Sequence, residues 1–230
     1  MALFMSSCII DSSSWNNAVS GKGNVVKEER NLSGFTGIHL SSGIDVYLSE
    51  GDFEVVVEAD ENLHEVIETR LEGRVLEVGT DRVNIRNAKA KRVHISLPEL
   101  KKLSVSSAGD LEGMNLFHCD DLDVNVSSAG DLLLELEAGD IYLNISSSGD
   151  AKLAGKADRL DVTLSSAGDL DAFDLQARRV DVNVSSAGDA RVFATEEISM
   201  TSSSAGSIYY RGDAEVVHKS KSSAGSIVKK

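Results

Sequence analysis

The five-residue phrase Ser-Ser-Ala-Gly-Asp returns along this chain at a nearly constant interval. Its glycines are 18 to 21 residues apart. A repeat of this length is typical of solenoids, in which each unit buries its apolar face only by stacking on its neighbours. The phrase is complete at 106–110, 127–131, 165–169 and 185–189, has a near copy at 146–150, and ends in Ser at 203–207 and 222–226.

Each repeat carries an alternating apolar segment before its glycine. The apolar positions lie eight, six and four residues upstream, with polar residues between them, as in a half-buried strand. Another apolar position two residues after the glycine predicts the start of a second strand. Two short strands cannot close a sheet within one repeat, so we predict a parallel β-helix with coils of about 19 residues. Val124, Leu143, Val162 and Val182 are expected to form one inward column.

The same alignment predicts the structure of the corner. The Gly is expected to adopt a left-handed or otherwise tight backbone, and the Asp after it to accept hydrogen bonds from its own turn. By parity the second Ser falls on the inward side, and we expect a buried ladder of hydroxyls because an unpaired buried hydroxyl would cost about 1–3 kcal/mol. These residues are Ser107, Ser128, Ser147, Ser166, Ser186, Ser204 and Ser223.

Residues 1–24 are predicted to be an anchor and a tether. Met5-Ser6-Ser7 before Cys8 is similar to a bacterial lipoprotein cleavage box, in which Cys8 would be lipidated, and a Ser/Gly/Asn-rich tract follows. The alternative is an N-terminus without this role, because the apolar run is short and no basic segment precedes it.

Residues 25–102 lack the phrase and are expected to cap the mouth of a β-helix formed by residues 103–230. A turn of helix or an irregular bend is expected at Asp60–Leu71. In the last coil Val217, Lys219 and Lys221 fall at inward positions, where charge would prevent end-to-end stacking. Alternation predicts capping strands at Phe35–Leu40, Ile44–Leu48, Phe53–Ala59, Val75–Gly79 and Val93–Leu97.

The net charge of −14 is concentrated in the repeats. Residues 103–200 hold 19 acidic and 6 basic side chains. Such a surface repels phosphate, so nucleic-acid partners and anionic membranes are disfavoured. Contact with a membrane is expected only through a lipid on Cys8.

Two sets of carboxylates are candidates for chemistry. Asp161 and Asp181 share an outward position in adjacent coils, and carboxyls about 5–5.5 Å apart can serve a retaining glycosidase. A solvated acidic stripe is the favoured explanation, because the position repeats with the coil, as Asp123 shows. We expect no aromatic sugar-stacking platform and no His or Arg beside these carboxylates, so no catalytic residue is predicted.

The second set is the Asp at the corner, with Asp131, Asp150 and Asp169 at its centre. Stacked carboxylates must be capped by amides or bridged by a cation such as Ca²⁺. Capping is favoured because the repeat lacks the Gly-Gly-x-Gly-x-Asp pattern of calcium-binding β-rolls. The run from His118 to Asp121 contains metal-ligand types but no second ligand pair, so no metal or cofactor is predicted.

With these repeats, Phe35-Thr36-Gly37-Ile38, Gly43-Ile44-Asp45-Val46 and Leu97-Pro98-Glu99-Leu100 in view, residues 25–228 resemble the bacterial family called putative auto-transporter adhesin, head GIN domain. The resemblance implies a right-handed parallel β-helix, secretion to the cell envelope or surface, and an adhesive role without assigned site residues. We therefore expect a non-enzymatic surface protein that binds a glycan or a protein. The alternative is a surface enzyme that acts on polysaccharide with Asp161 and Asp181.

Overall fold

The computed structural model describes residues 17–80 and 82–230. Their regular structure is all β, apart from a short 3-10 turn at Glu61–Leu63. The strands are β1 (Ala18–Ser20), β2 (Val25–Glu29), β3 (Gly37–Leu40), β4 (Asp45–Glu50), β5 (Glu54–Asp60), β6 (Ile67–Glu72), β7 (Val75–Thr80), β8 (Asn84–Arg86), β9 (Lys91–Leu97), β10 (Lys102–Val105), β11 (Asp110–Gly113), β12 (Phe117–Val126), β13 (Asp131–Ile145), β14 (Asp150–Leu164), β15 (Asp169–Val184), β16 (Asp189–Ser202), β17 (Ser207–Arg211), β18 (Glu215–Lys221) and β19 (Ser226–Lys229).

The predicted β-helix is confirmed. Successive coils pair in parallel with a spacing of about 19 residues, and they form a solenoid of about seven turns. The predicted inward column is present, because Val124, Leu143, Val162 and Val182 are register partners in turn and all are buried. Burial of such aliphatic side chains, at about 1.5–3 kcal/mol each, is the main force that holds one coil on the next.

The predicted ladder of buried serine hydroxyls is wrong. The second Ser of each phrase is exposed and has a positive φ, for example 52° at Ser128 and 69° at Ser186. Gly130 donates its N–H to the carbonyl of Ser127 at 3.0 Å, which closes a four-residue turn. The strand alternation therefore stops at the first Ser, and the two residues after it form the turn.

The glycine of the phrase does not take the left-handed backbone that the sequence predicted. The corner glycines are buried except for Gly225 in the last coil, and their φ is not positive. They are required because the previous coil is too close for a side chain. A Cβ on Gly188 would lie 2.4 Å from the carbonyl oxygen of Gly168, and a Cβ on Gly168 would lie 2.5 Å from the side chain of Ile145.

The N-terminal region contributes both coils and a cover. β3 pairs in parallel with β7 and β10, and β4 pairs in parallel with β9 and β11, so the coil made of β3 and β4 lies between two coils that follow it in sequence. β6 pairs antiparallel with β7, β5 with β9, and β2 with β5. Asp60–Leu71, predicted as a turn or bend, is the 3-10 turn followed by the start of β6.

Asp60 fastens the segment before β2 to this cover. Its side chain is fully buried. Its carboxylate accepts hydrogen bonds from the N–H groups of Gly23 at 2.7 Å, Lys89 at 3.0 Å and Ala90 at 3.1 Å. Burial works to raise the pKa of Asp60, but these three amides hold it below its ordinary value. The carboxylate is therefore part of the hydrogen-bonded core of the cover.

The last coil carries its charges in the predicted columns. Lys219 is the register partner of Met200, and Lys221 is the register partner of Ser202. The prediction for Val217 is wrong by one residue, because a register shift places Val216 beside Ile198. All of β18 is exposed, so the solenoid ends on a strand with cationic side chains above the core.

Candidate functional surfaces

The outward side of the sheet that follows the corner is a long continuous surface of the solenoid. Ten strands cross it in the order β5, β9, β4, β11, β13, β14, β15, β16, β17 and β19. At about 4.8 Å between strands it is about 43 Å long. We call this surface the outer face.

A row of carboxylates runs along the outer face. The corner aspartates predicted from the sequence lie in register, and the row extends by one residue to Asp45, which the sequence analysis did not include. The preceding Ser41-Ser42-Gly43, an incomplete copy of the phrase, was the available signal. We call Asp45, Asp110, Asp131, Asp150, Asp169 and Asp189 the acidic row.

Two aspartates of the acidic row accept a hydrogen bond from the next coil, so the prediction that each caps its own turn is wrong for them. The N–H of Asp169 donates to Asp150 Oδ1 at 3.3 Å, and the N–H of Asp189 donates to Asp169 Oδ1 at 2.9 Å. Partial burial raises the pKa of Asp131, and the charges of Asp110 and Asp150 raise it further. The ionised form of Asp131 is therefore destabilised by repulsion from these two neighbouring carboxylates.

The two explanations of the acidic row, bound calcium and capping by backbone amides, predict different effects of substitution and of a chelator. If the acidic row is held by amides, Asp131→Asn should raise the melting temperature at pH 7, because it removes repulsion at a carboxyl with a raised pKa. Asp169→Ala should cost about 0.5–1.5 kcal/mol through its lost hydrogen bond, and a chelator should change nothing. Thermal melts with and without Ca²⁺ test this. Chelator-sensitive stability that Asp150→Asn/Asp169→Asn abolishes would instead assign a cation to the row.

A shallow groove of about 500 Å³ lies beside the acidic row. Leu132 and Ala151 form its floor, Leu133 is 42% exposed at its centre, and Lys152 and Arg191 add positive charge. An apolar floor with polar groups at its margin is the usual construction of a ligand-binding groove. The outer face therefore offers both charge and apolar area to a partner.

Asp161 and Asp181 lie in register on adjacent coils, as the sequence predicted. Arg159 Nη2 lies 3.0 Å from Asp161 Oδ2, so the expectation that no Arg stands beside these carboxylates was wrong. Asn183 Nδ2 donates to Asp181 Oδ1 at 3.0 Å. The two carboxylates thus have different partners, one an ion pair and the other an amide.

The run from His118 to Asp121 does not converge on one point, because it alternates across strand β12. Cys119 points inward, and burial, helped by the charges of Glu50 and Asp120, raises its pKa to about 11. A thiol with this pKa is protonated at neutral pH and is a poor nucleophile. His118 points outward, and its Nδ1 lies 3.0 Å from Glu50 Oε1. Within residues 17–80 and 82–230, no group of three or more His, Cys, Asp or Glu is arranged to hold a metal ion.

The structure also brings together residues that the sequence analysis missed. Tyr47 and His94, partners on β4 and β9, stack with ring centroids 5.4 Å apart, so an aromatic pair is present where none was expected. His94 Nε2 lies 2.8 Å from Glu58 Oε2, and Arg92 Nη1 lies 3.0 Å from Glu58 Oε1. No sequence signal connected these residues, because β4, β5 and β9 pair out of sequence order.

Two other observations concern the chain's relation to membranes. Cys8, the predicted lipidation site, lies outside the described residues. In the described part of the chain, no helix has the length and apolar character needed to span a bilayer.

Solved bacterial structures share this fold. A protein named a putative adhesin from Bacteroides fragilis superposes with a TM-score of 0.85 at 22% identity, covering 92% of this chain and 100% of its own. A putative adhesin from Parabacteroides merdae gives 0.76 at 21% identity, covering 93% and 99%. A protein named a putative lipid binding protein from Parabacteroides distasonis gives 0.76 at 23% identity, covering 93% and 99%. No curated protein matches the chain.

The family assignment rests on the sequence match. The model of one family matches residues 34–214, from the loop before β3 to the residue before β18. This span is well over half of the chain and contains six of the seven corner phrases. The chain therefore belongs to the family described as putative auto-transporter adhesin, head GIN domain.

Proposed function

We propose that this protein is a non-enzymatic binding module of the bacterial cell envelope or surface, which presents the outer face of a rigid β-helix to a ligand. The observation that carries the proposal is the outer face itself, with its acidic row beside a groove that exposes Leu133. Parallel coils hold these groups at a fixed spacing, so little conformational entropy is lost when a ligand binds. The adhesin names of the family and of its structural neighbours support the same class of function.

Binding of the purified full chain to an array of glycans and matrix proteins tests this proposal. We expect selective binding to a small set of ligands, and we expect Leu133→Asn to weaken it. Tyr142→Asn is the matched control, because Tyr142 lies on the same strand, is 40% exposed and is outside the groove. Absence of selective binding, or equal loss in both variants, would contradict the proposal.

The alternative is a surface enzyme that acts on polysaccharide with Asp161 and Asp181. Arg159 beside Asp161 is the observation in its favour, since it places a cation next to one of two carboxylates that lie in register on adjacent coils. Both carboxylates already have protein partners, which favours a structural role. Incubation of the full chain with the arrayed polysaccharides should therefore release no new reducing ends.

We further propose the division of labour predicted from the sequence. Residues 103–230 form the binding body, residues 25–102 cap it, and residues 1–24 tether it to a membrane through a lipid on Cys8. The cap is supported by the antiparallel strands β2, β5 and β6, although β3 and β4 continue the parallel stack of the body.

Lipidation of Cys8 predicts a difference in partitioning. Full-length protein made in a bacterial host that processes lipoproteins should enter the detergent phase, because two or three acyl chains anchor a protein stably. Cys8→Ser should leave the protein in the aqueous phase. Cys119→Ser is the control, because Cys119 is buried inside a coil. Equal partitioning of the Cys8→Ser form and the parent would remove the anchor from the proposal.

A further inference from the structure

A second cavity, of about 780 Å³, opens at the capped end of the outer face. Its walls come from β2, β4, β5 and β9 and from Met114 after β11. Cavities of 300–1,000 Å³ with a few polar groups on apolar walls are typical ligand sites. We call this cavity the cap pocket. Nothing in the family's description assigns a role to it.

Basic side chains of the cap pocket surround Glu58, a half-buried carboxylate next to the pocket. The carboxylate of Glu58 lies 2.8 Å from His94 Nε2, 3.0 Å from Arg92 Nη1 and 3.5 Å from Lys27 Nζ. Arg has five N–H donors and Lys has three, so both keep donors for a ligand. Lys27 and Arg92 line the pocket and are well exposed, with 64% of the Lys27 side chain in solvent.

The remaining polar groups limit what kind of anion can enter. Glu54 lines the pocket. The acidic row begins next to the pocket at Asp45, which is the register partner of Arg92. These charges oppose a doubly charged phosphate more than a singly charged carboxylate. Ser49 and Ser96, partners on neighbouring strands, offer hydroxyls that can bind the hydroxyls of a ligand.

The apolar walls of the cap pocket suit the face of a sugar ring. Tyr47 and His94 stack with an interplanar angle of 20°, and Met114 is 56% exposed at the same cavity. Flat aromatic and thioether groups pack against the C–H faces of a pyranose, whereas an acyl chain would require a more enclosed cavity. Charge, hydroxyls and aromatic area thus meet in one pocket.

We propose that the cap pocket binds a carboxylate-bearing sugar of a glycan chain, with the carboxylate at Lys27 and Arg92 and the ring against Tyr47. This inference rests on the proposed function as a surface-binding module and names its ligand class.

Titration calorimetry of the full chain with oligogalacturonate tests the inference, and the methyl ester of the same oligosaccharide is the uncharged control. We expect the ester to bind at least about tenfold more weakly, since a charge-assisted hydrogen bond is lost. Lys27→Gln and Tyr47→Ala should each weaken binding of the free acid to a similar degree. Lys156→Gln removes an exposed cation that lines a different cavity and lies outside the groove of the outer face, so it should leave binding unchanged.

Several results would overturn the inference. They are equal binding of acid and ester, no binding of either, loss on Lys156→Gln rather than on Lys27→Gln, or tighter binding of a fatty acid or of inorganic phosphate. Lys27 lies on the outermost strand with an exposed side chain, so Lys27→Gln keeps the test valid if Tyr47→Ala unfolds. Selective array binding that is insensitive to Lys27→Gln would leave the proposed function standing and refute only the pocket.

Discussion

Gly188→Ala is expected to destabilise the protein by about 2–3 kcal/mol, because the new methyl group would lie 2.4 Å from the carbonyl oxygen of Gly168. Both glycines lie one residue before strands β15 and β16, which pair in parallel, so the backbone cannot move far without disturbing the pairing between two coils. Urea denaturation followed by circular dichroism measures the loss.

Ser186→Gly, two residues earlier in the same corner, is the matched control. Ser186 has a φ of 69°, a conformation that costs a residue with a Cβ about 1–2 kcal/mol. Glycine removes that cost and adds some freedom to the unfolded chain, so Ser186→Gly should be at least as stable as the parent. If Ser186→Gly were instead less stable than Gly188→Ala, the result would support the original prediction, in which the glycine takes the left-handed position.

Asp60→Asn is expected to lower the melting temperature by several degrees at pH 7. The amide would turn an N–H₂ group toward backbone N–H groups that now donate to a carboxylate, at Gly23 or at Lys89 and Ala90. A buried donor without an acceptor is costly, so the segment before β2 should also loosen. Thermal melts and proteolysis near residue 23 report both effects. Asp52→Asn, an exposed loop residue nearby, should change neither.

The Asp60 effect should depend on pH in a defined direction. The native pKa is lowered relative to the unfolded chain, so the ionised carboxylate stabilises the fold at pH values above its ordinary pKa. This stabilisation is lost as the pH falls through the lowered native pKa. The difference between parent and Asp60→Asn should therefore be full at neutral pH and shrink in acid. A difference that grows in acid would contradict the assignment.

The coil architecture could be predicted from the sequence because one strand pattern repeats with one period. The inward column at Val124 and Val162 follows from alternation alone, since side chains on a strand alternate between two faces. The same rule failed at the corner. Parity was extended across the turn to Ser128, but a residue with positive φ reverses the chain and no longer counts as a strand position.

Other features depend on pairing that is distant in sequence. Tyr47 stacks on His94 because β4 lies beside β9, and neither strand carries the repeated phrase that gives register elsewhere. The role of Asp60 can be recognised only in the structure, where the N–H groups of Gly23 and Ala90 both donate to its carboxylate. Local sequence patterns therefore could not predict the cap pocket, whereas they predicted every residue of the acidic row except the first, Asp45.

The position of β3 and β4 in the stack has a consequence for the order of folding. Most coils find their neighbour about 19 residues away, but β3 joins β10 across 65 residues, from Gly37 to Lys102. Closing so long a loop costs more entropy and slows the step that needs it. As the chain emerges from a ribosome or a translocon, this coil must wait for both of its neighbours, after which the remaining coils add one at a time. The rate of assembly should thus be limited at the capped end and be almost indifferent to the number of repeats beyond it.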